Sequence, residues 1–356
     1  MSDALSVVVE KPRAQAAIGS LRDEGVYDDD RSVYECGPDT VAIPVSSPPE
    51  QTDVLEVIQE TGELRLRTLE DHLRERGWTD EELELAPGSW AVIGSVILVD
   101  IGDSPRPEEV GESLLAMHGV ADTVLARDGI AGQHREPEVR VIVGEGDTET
   151  VHREHGTIYA LDLAEVMFSP GNKTERSQMA ERVIAGERVL DMFAGIGYFT
   201  LPMARAGASV TAIERNPASF SYLMENVVRN GVQDNVETYR ADCRAVVSNA
   251  LEGNTFEGTE EDDISHNGNN VFEFDRIVMG YYDAYEYLDS ALAVLKEGGT
   301  IHLHEATPEA LVPDRPVSRL TEAAEKAGRR VEVQETRRVK GYSEGVAHVV
   351  VDATVW

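Results

Sequence analysis

A regular alternation of strand and helix, beginning at residue 189, constrains this chain more than any other feature. The strand pattern VLDMF (189–193) runs into a glycine turn and a helix, SVTAIE (209–214) into the helix PASFSYLMENVVRN (217–230), and VETYR (236–240), FDRIVM (274–279) and GTIHLHE (299–305) follow at similar intervals. Short apolar strands joined by helices require right-handed crossovers, and hence a parallel sheet covered by helices on both faces. The tail adds RRVEVQETRRV (329–339) and VAHVVVDATVW (346–356), which predict an antiparallel final pair. This is a doubly wound α/β sheet.

The first turn narrows the ligand. Asp191-Met192-Phe193-Ala194-Gly195-Ile196-Gly197-Tyr198-Phe199-Thr200 places an acid before two glycines, with Thr200 where a dinucleotide fingerprint has its third glycine. No phosphate-binding Lys follows. The pattern resembles the S-adenosylmethionine (SAM) loop of class I methyltransferases, in which the backbone approaches a cofactor that has no pyrophosphate and the acid can receive its ammonium. Glu214 ends the second strand, where a carboxylate can accept both ribose hydroxyls. Asp242-Cys243 ends the third, beside the place of an adenine ring. Each acid alone reads equally as a helix cap or solvated turn; their recurrence at three successive strand ends is what points to SAM. Cys243 reads alternatively as a small buried hydrophobe.

Upstream the beat is absent. Residues 1–47 pattern as a small α+β module that closes on TVAIPV and ends at the stiff break Ser46-Ser47-Pro48-Pro49; 48–66 read as a linker, mostly helical from 50. Residues 67–165 predict an α+β domain: helix TLEDHLRERG, one strand WAVIGSVILVDI, helix PEEVGESLLAMHG, and strands around TVLARDG, VRVIVGEG, TVHREHG and TIYALDLAEV. Residues 166–356 are the Rossmann-like domain, interrupted by a polar, acidic stretch at 252–270 that reads as a disordered surface insertion.

Charge taken alone argues against a polyanionic partner. The 356 residues carry 32 Lys+Arg against 66 Asp+Glu, a formal net charge of −34, whereas phosphate binders normally present a basic surface. Yet only five of the bases are Lys (Lys11, Lys173, Lys296, Lys326, Lys340) and acid is spread along the whole chain. That composition fits concentrated salt, where the Debye length falls to ~3 Å at 1 M and a global field is screened. Charge therefore speaks of solvent and excludes no partner. With no apolar run long enough to span a bilayer and two distant cysteines, Cys36 and Cys243, the expectation is a soluble cytoplasmic protein without a disulfide framework or metal.

MFSPGNKTER (167–176), VLDMFAGIGYFTLP (189–202), IERNPASFSYLMENVVRN (213–230) and RVKGYSEGVAHVVVD (338–352) together resemble the archaeal and eukaryotic enzymes that modify the guanosine at tRNA position 37. The resemblance implies a class I SAM-dependent methyltransferase-like Rossmann fold, preceded by a small N-terminal module and an α+β domain. It implies tRNA as partner and SAM as cofactor, held by Phe168, Ser169, Arg176, Asp191, Ala194, Gly195, Gly197, Glu214, Arg215, Asp242, Cys243, Met279 and Gly280.

Two branches of the family differ in chemistry. The guanine N1-methyltransferases carry an Arg after FSP and Asn-Leu-Pro after the fourth strand, whereas this chain has Gly171-Asn172 and Met279-Gly280-Tyr281. Its Ile301-His302-Leu303-His304-Glu305 is similar to the strand ending of the wybutosine-pathway branch, which transfers the 3-amino-3-carboxypropyl group of SAM to C7 of 4-demethylwyosine in tRNA(Phe). The first 47 residues depart from simple archaeal members of that branch. Removing the N1 proton needs a polar group at the base edge, which a Met-Gly-Tyr loop lacks as a side chain. Candidates for the chemistry are Arg176, Tyr281 and His304; for tRNA contact, Lys173 and the basic cluster Arg329, Arg330, Arg337, Arg338 and Lys340, against the alternative of a solvated face. A SAM-binding RNA-binding protein without catalysis is the reading from another class.

Overall fold

The computed structural model describes residues 5–132, 136–253 and 272–356. It divides into two compact units, Met1–Glu84 and Leu85–Trp356. The predicted insertion at 252–270 lies outside the described residues, apart from its first two.

In the first unit, β1 (Leu5–Glu10), β2 (Tyr34–Glu35), β3 (Thr40–Val45) and β4 (Glu56–Ile58) form a sheet in the order β2-β3-β1-β4, with α1 (Ala14–Asp23) across it. Val7, Val9, Leu21, Ile43 and Val45 fill its core. The expected helical linker is therefore a strand: Val57 pairs with Val7 on the free edge of β1, where a β-branched residue fits better than in a helix. The proline break at Pro48-Pro49 consequently falls inside this unit. So do α2 (Leu69–Glu75) and α3 (Asp80–Leu83), each opened by a capping box, Thr68 with Asp71 and Thr79 with Glu82.

The second unit begins with β5 (Trp90–Ile93), β6 (Val96–Val99), α4 (Pro107–Met117), β7 (Thr123–Ala131) and β8 (Glu136–Gly144), forming a sheet in the order β5-β6-β7-β8. The single strand expected over 90–101 is a hairpin, because Gly94 turns with φ +58° and Ser95 N is taken by Thr150 Oγ1 at 2.9 Å. A second hairpin, β9 (Glu149–Glu154) and β10 (Thr157–Asp162), leads to α5 (Lys173–Arg182).

The seven-stranded sheet follows: β11 (Arg188–Asp191), α6 (Thr200–Arg205), β12 (Ser209–Glu214), α7 (Pro217–Arg229), β13 (Val236–Arg240), α8 (Cys243–Leu251), β14 (Phe274–Met279), α9 (Leu288–Val294), β15 (Leu295–Pro308), α10 (Asp314–Lys326), β16 (Val331–Ser343) and β17 (Val346–Val355). Its order is β13-β12-β11-β14-β15-β17-β16, with β11 to β15 parallel and β17 inserted antiparallel, the predicted final pair. Alternate residues face opposite layers. Leu190, Ile213, Ile277 and Ile301 pack in one core with helix residues Val246, Leu288, Leu292 and Leu320, while Val189, Val210, Ala212 and Val278 pack in the other with Met179, Leu201 and Leu223. Both faces are buried, which is why these strands read as continuous apolar runs. Ligand sites in such sheets lie beyond the carboxyl ends of the strands near the switch point, here between β11 and β14.

Candidate active site

A cleft opens at that edge, lined by the glycine loop, the ends of β12 and β13, the loop after β14, residues 167–176 and His348. Gly195 (φ +58°) lines it, and Gly197 (φ +103°) turns the loop behind it against Leu201 and Leu223. A Cβ on Gly195 would stand 2.4 Å from the Tyr198 ring, and one on Gly280 2.9 Å from Phe199, so the cleft exists because these residues lack side chains. Ala194 is buried beside them, its N–H donating to the Ile213 carbonyl at 2.9 Å.

Asp191 takes a different place from the expected one. It is fully buried behind the loop, accepting from Thr200 Oγ1 at 2.8 Å and Phe193 N at 3.3 Å, and burial pushes its pKa up to about 6. Its visible work is to tie the end of β11 to the start of α6, which explains Thr200 in place of a third glycine. Glu214 does line the cleft. One carboxylate oxygen accepts from Gly195 N at 2.8 Å and the other from Asn216 N at 2.7 Å, and the Arg215 N–H bonds the same group, so the carboxylate holds the loop while facing the cleft. Burial raises its pKa against those bonds. Asn216, on the next turn, caps α7 through Ala218 N and Ser219 N, with Pro217 at the first helical position.

At the end of β13, Asp242 is an N-cap, accepting from Arg244 N at 2.9 Å, and is gripped by the Arg244 guanidinium at 3.0 and 2.9 Å, which lowers its pKa. Arg244, which sequence reasoning passed over, also lies 4.5 Å over the Tyr287 ring. Asp242, Cys243 and Arg215 line the cleft; the Cys243 thiol is pushed up to about 12 by burial and acts as apolar wall. Phe193, Tyr281 and Tyr287 form an aromatic wall, Phe193 lying 5.2 Å from Tyr281 and 5.0 Å from Tyr287. Gly280 opens onto the cleft, and Met279 is buried beneath it.

The 167–176 segment departs furthest from expectation. Arg176 is 2% exposed, and its guanidinium is consumed within the protein: bidentate to Glu154 at 2.8 and 2.8 Å, and on the Ser169 carbonyl at 2.9 Å. It borders the cleft but offers no free fork to a carboxylate. Burial alone would raise the pKa of Glu154; Arg176 and His152 outweigh it and bring it to about 2. Phe168 is packed among His152, Tyr159 and Tyr198, behind the cleft. Ser169 lines it, its hydroxyl accepting from Lys340 Nζ at 2.5 Å, and Asn172 lines it with a buried Oδ1 that has no partner. Lys173 is exposed at the start of α5.

The basic cluster does not form one surface. Arg329 donates to four backbone carbonyls, of Leu292, Leu295, Lys296 and Val355, at 2.7–3.1 Å. Arg337 is bidentate to Glu175 at 2.8 and 2.7 Å and pairs with Asp352. Arg338 is exposed and paired with Glu309 at 2.6 Å; Arg330 is exposed. Adjacent positions on β16 point to opposite faces, so a run of bases in sequence is divided between interior and surface. Of the six tRNA candidates, Lys173 and Lys340 lie with the cleft-lining segment. His304 is buried and meets His348, which lines the cleft. Among the described residues no group of three or more His, Cys, Asp or Glu could hold a metal ion, and no helix is long and apolar enough to cross a membrane.

Two asparagines that were not singled out hold the site together. Asn226 accepts from Ala160 N at 2.7 Å and donates to the carbonyls of Ala160 and Ile196 at 3.0 Å each, while Asn230 makes the same pair with Ile158 at 2.9 and 2.7 Å. Helix α7 thus completes the free edge of β10 and fixes the glycine loop.

A family profile described as the TRM5/TYW2 methyltransferase domain matches residues 150–334, and one described as the TYW2 N-terminal domain matches 69–148. The chain is 36% identical over 281 residues to the tRNA(Phe) (4-demethylwyosine(37)-C(7)) aminocarboxypropyltransferase of Pyrococcus horikoshii, covering 78% of this chain and 92% of that one. The crystal structure of P. horikoshii TYW2 in complex with MeSAdo superposes with a TM-score of 0.64 at 34% identity, covering 80% of this chain and 97% of the other. Trm5b of Pyrococcus abyssi superposes with a TM-score of 0.72 at 29% identity, covering 99% of each. The chain belongs to the TRM5/TYW2 family.

Proposed function

We propose that this protein is a SAM-dependent tRNA aminocarboxypropyltransferase, moving the 3-amino-3-carboxypropyl group of SAM to C7 of 4-demethylwyosine at position 37 of tRNA(Phe). The carrying observation is the cleft itself. Gly195 and Gly280 line it without side chains, where a Cβ would displace the Tyr198 and Phe199 rings of its wall, Glu214 faces it with its carboxylate, and Cys243 and Tyr287 offer an apolar slot beside it. These residues fit an adenosine and its ribose diol. The sulfonium of SAM supplies three activated carbons, so the group that moves is decided by which carbon points at the acceptor, and orientation of this kind is worth up to ~7–11 kcal/mol. Tyr281 and Phe193 wall the acceptor side with aromatic faces, which suits stacking a tricyclic base whose carbon C7 is the nucleophile.

The second reading, N1-methylation of guanosine 37, draws on the full-length overlap with Trm5b, which includes the first unit. Incubating the protein with tRNA(Phe) bearing 4-demethylwyosine, with methyl-labelled and carboxyl-labelled SAM in parallel, separates the two. Carboxyl label in the tRNA with release of methylthioadenosine is expected. Methyl label alone refutes the transferase reading.

A further inference from the structure

The cleft has a second polar end, which the cofactor residues leave unused. On the β15–β17 ladder His304 stands opposite Val350 and His348 opposite Ala306, so the two histidines are diagonal neighbours on one face. His304 Nδ1 and His348 Nε2 are 3.0 Å apart. Each ring keeps one buried nitrogen without a partner, Nε2 of His304 and Nδ1 of His348. Buried polar atoms are almost always bonded, and those that are not call for an explanation. Only His348 lines the cleft; the Tyr282 ring stands nearly perpendicular to it at 4.9 Å, and Phe199 lies 5.3 Å from His304.

Position assigns the ligand. Glu214 and Asp242 end β12 and β13 on one side of β11, whereas His348 belongs to β17, on the far side of β14 and β15. A nucleoside held at the first pair leaves the histidine end for a second ring. We propose that His348 hydrogen-bonds the edge of the acceptor base through Nδ1, with His304 as the positioning residue that holds its ring. This rests on the transfer reaction proposed above. The pair is adaptable: if His304 donates, His348 Nδ1 carries a proton and donates to the base; if His348 donates, its Nδ1 accepts. Either way the device works uncharged. The ionisable groups facing His348 are His304, Lys340, Glu175 and Arg337.

The test uses the full chain with 4-demethylwyosine-bearing tRNA(Phe). His348→Ala is expected to lower kcat/KM for tRNA about ten- to a hundredfold, the usual effect of losing one bond to a buried polar group, with SAM affinity by calorimetry unchanged. His348→Asn, whose amide reaches the place of Nδ1, recovers most of the loss, and His304→Leu costs less than His348→Ala. A His348→Ala protein that matches wild type, that loses SAM affinity in proportion, or that His348→Asn does not rescue overturns the inference. Failure of the wild type to transfer the aminocarboxypropyl group would instead remove the reaction on which it rests.

Discussion

Lowering the pH from 7 to 5 should cost this protein a large part of its stability, through three histidines that fold as neutral rings. His302, His304 and His348 are at most 2% exposed. His302 Nε2 faces the Arg276 guanidinium, so it must accept, and its Nδ1–H donates to Asp352 at 2.6 Å. Asp352 alone would favour a charged ring, but it is shared with Arg182 and Arg337, and burial together with Arg276 holds the pKa well below its usual value. Burial lowers His304 to about 3 and, helped by its neighbour, His348 to about 2. These folded pKa values lie below the unfolded value, so the stabilisation is complete above ~6.5 and is lost as pH falls. A ring that stays neutral when folded costs roughly 2 kcal/mol between pH 7 and 5, so three cost about 6 kcal/mol. Asp191 opposes this, since a raised pKa makes the folded state take up a proton through pH 6 and returns about 1 kcal/mol, and the raised Glu214 acts in the same direction. The net loss is about 4–5 kcal/mol, a large share of the ~5–15 kcal/mol typical of folded chains. Urea titrations at pH 7, 6 and 5 in constant KCl measure it. A stability slope below one proton's worth, ~1.4 kcal/mol per pH unit, would refute the neutral-histidine account.

Two substitutions test the roles assigned to particular residues. Gly195→Ala forces a Cβ into the Tyr198 ring at a positive φ, so SAM affinity should fall at least about tenfold by calorimetry while the melting temperature changes little; unimpaired binding would show that the loop is not the cofactor floor. Arg329→Ala removes the donor to four part-buried carbonyls and should cost about 1–3 kcal/mol in chemical denaturation while leaving KM for tRNA unchanged in the folded fraction; a selective rise in that KM would return Arg329 to the RNA surface.

The parts of the fold legible in the sequence were those determined by local pattern. Strands buried on both faces announce themselves as apolar runs, and Asn216-Pro217 carries a cap that needs only near neighbours. What stayed hidden depends on partners distant in sequence. Arg176 offers a carboxylate-binding fork on paper; its carboxylate is Glu154, 22 residues earlier. Arg337 belongs to a run of bases, yet it closes on Glu175, 162 positions away. The same holds for His348, which patterned only as part of the final strand pair until β15 brought His304 beside it. Asp191 shows the limit from the other side: the glycine loop follows β11 as expected, but whether its acid faces ligand or helix is set by Thr200, a residue noticed only as a missing glycine.

The acid excess now yields a sharper test than it did from composition. Several of the 32 bases are engaged inside the protein, Arg176, Arg276, Arg329 and Arg337 among them, so fewer remain to meet phosphate than the count suggests. Two salt effects therefore compete. Each phosphate contact should weaken as salt rises, as counterion release requires. Against that, a chain of net charge −34 repels tRNA over distances that salt shortens from a Debye length of ~10 Å at 0.1 M to ~3 Å at 1 M. With Lys173 exposed beside the cleft and Lys340 already bonded to Ser169, the repulsion should dominate, and kcat/KM for tRNA should rise with KCl from 0.1 to 1 M before levelling. Lys173→Ala should lower that plateau without changing the rise, because it removes a short-range contact and leaves the long-range field almost as it was. A monotonic fall with KCl, of the kind shown by basic RNA-binding proteins, would mean that the exposed bases, Lys173, Arg330 and Arg338 among them, outweigh the long-range field.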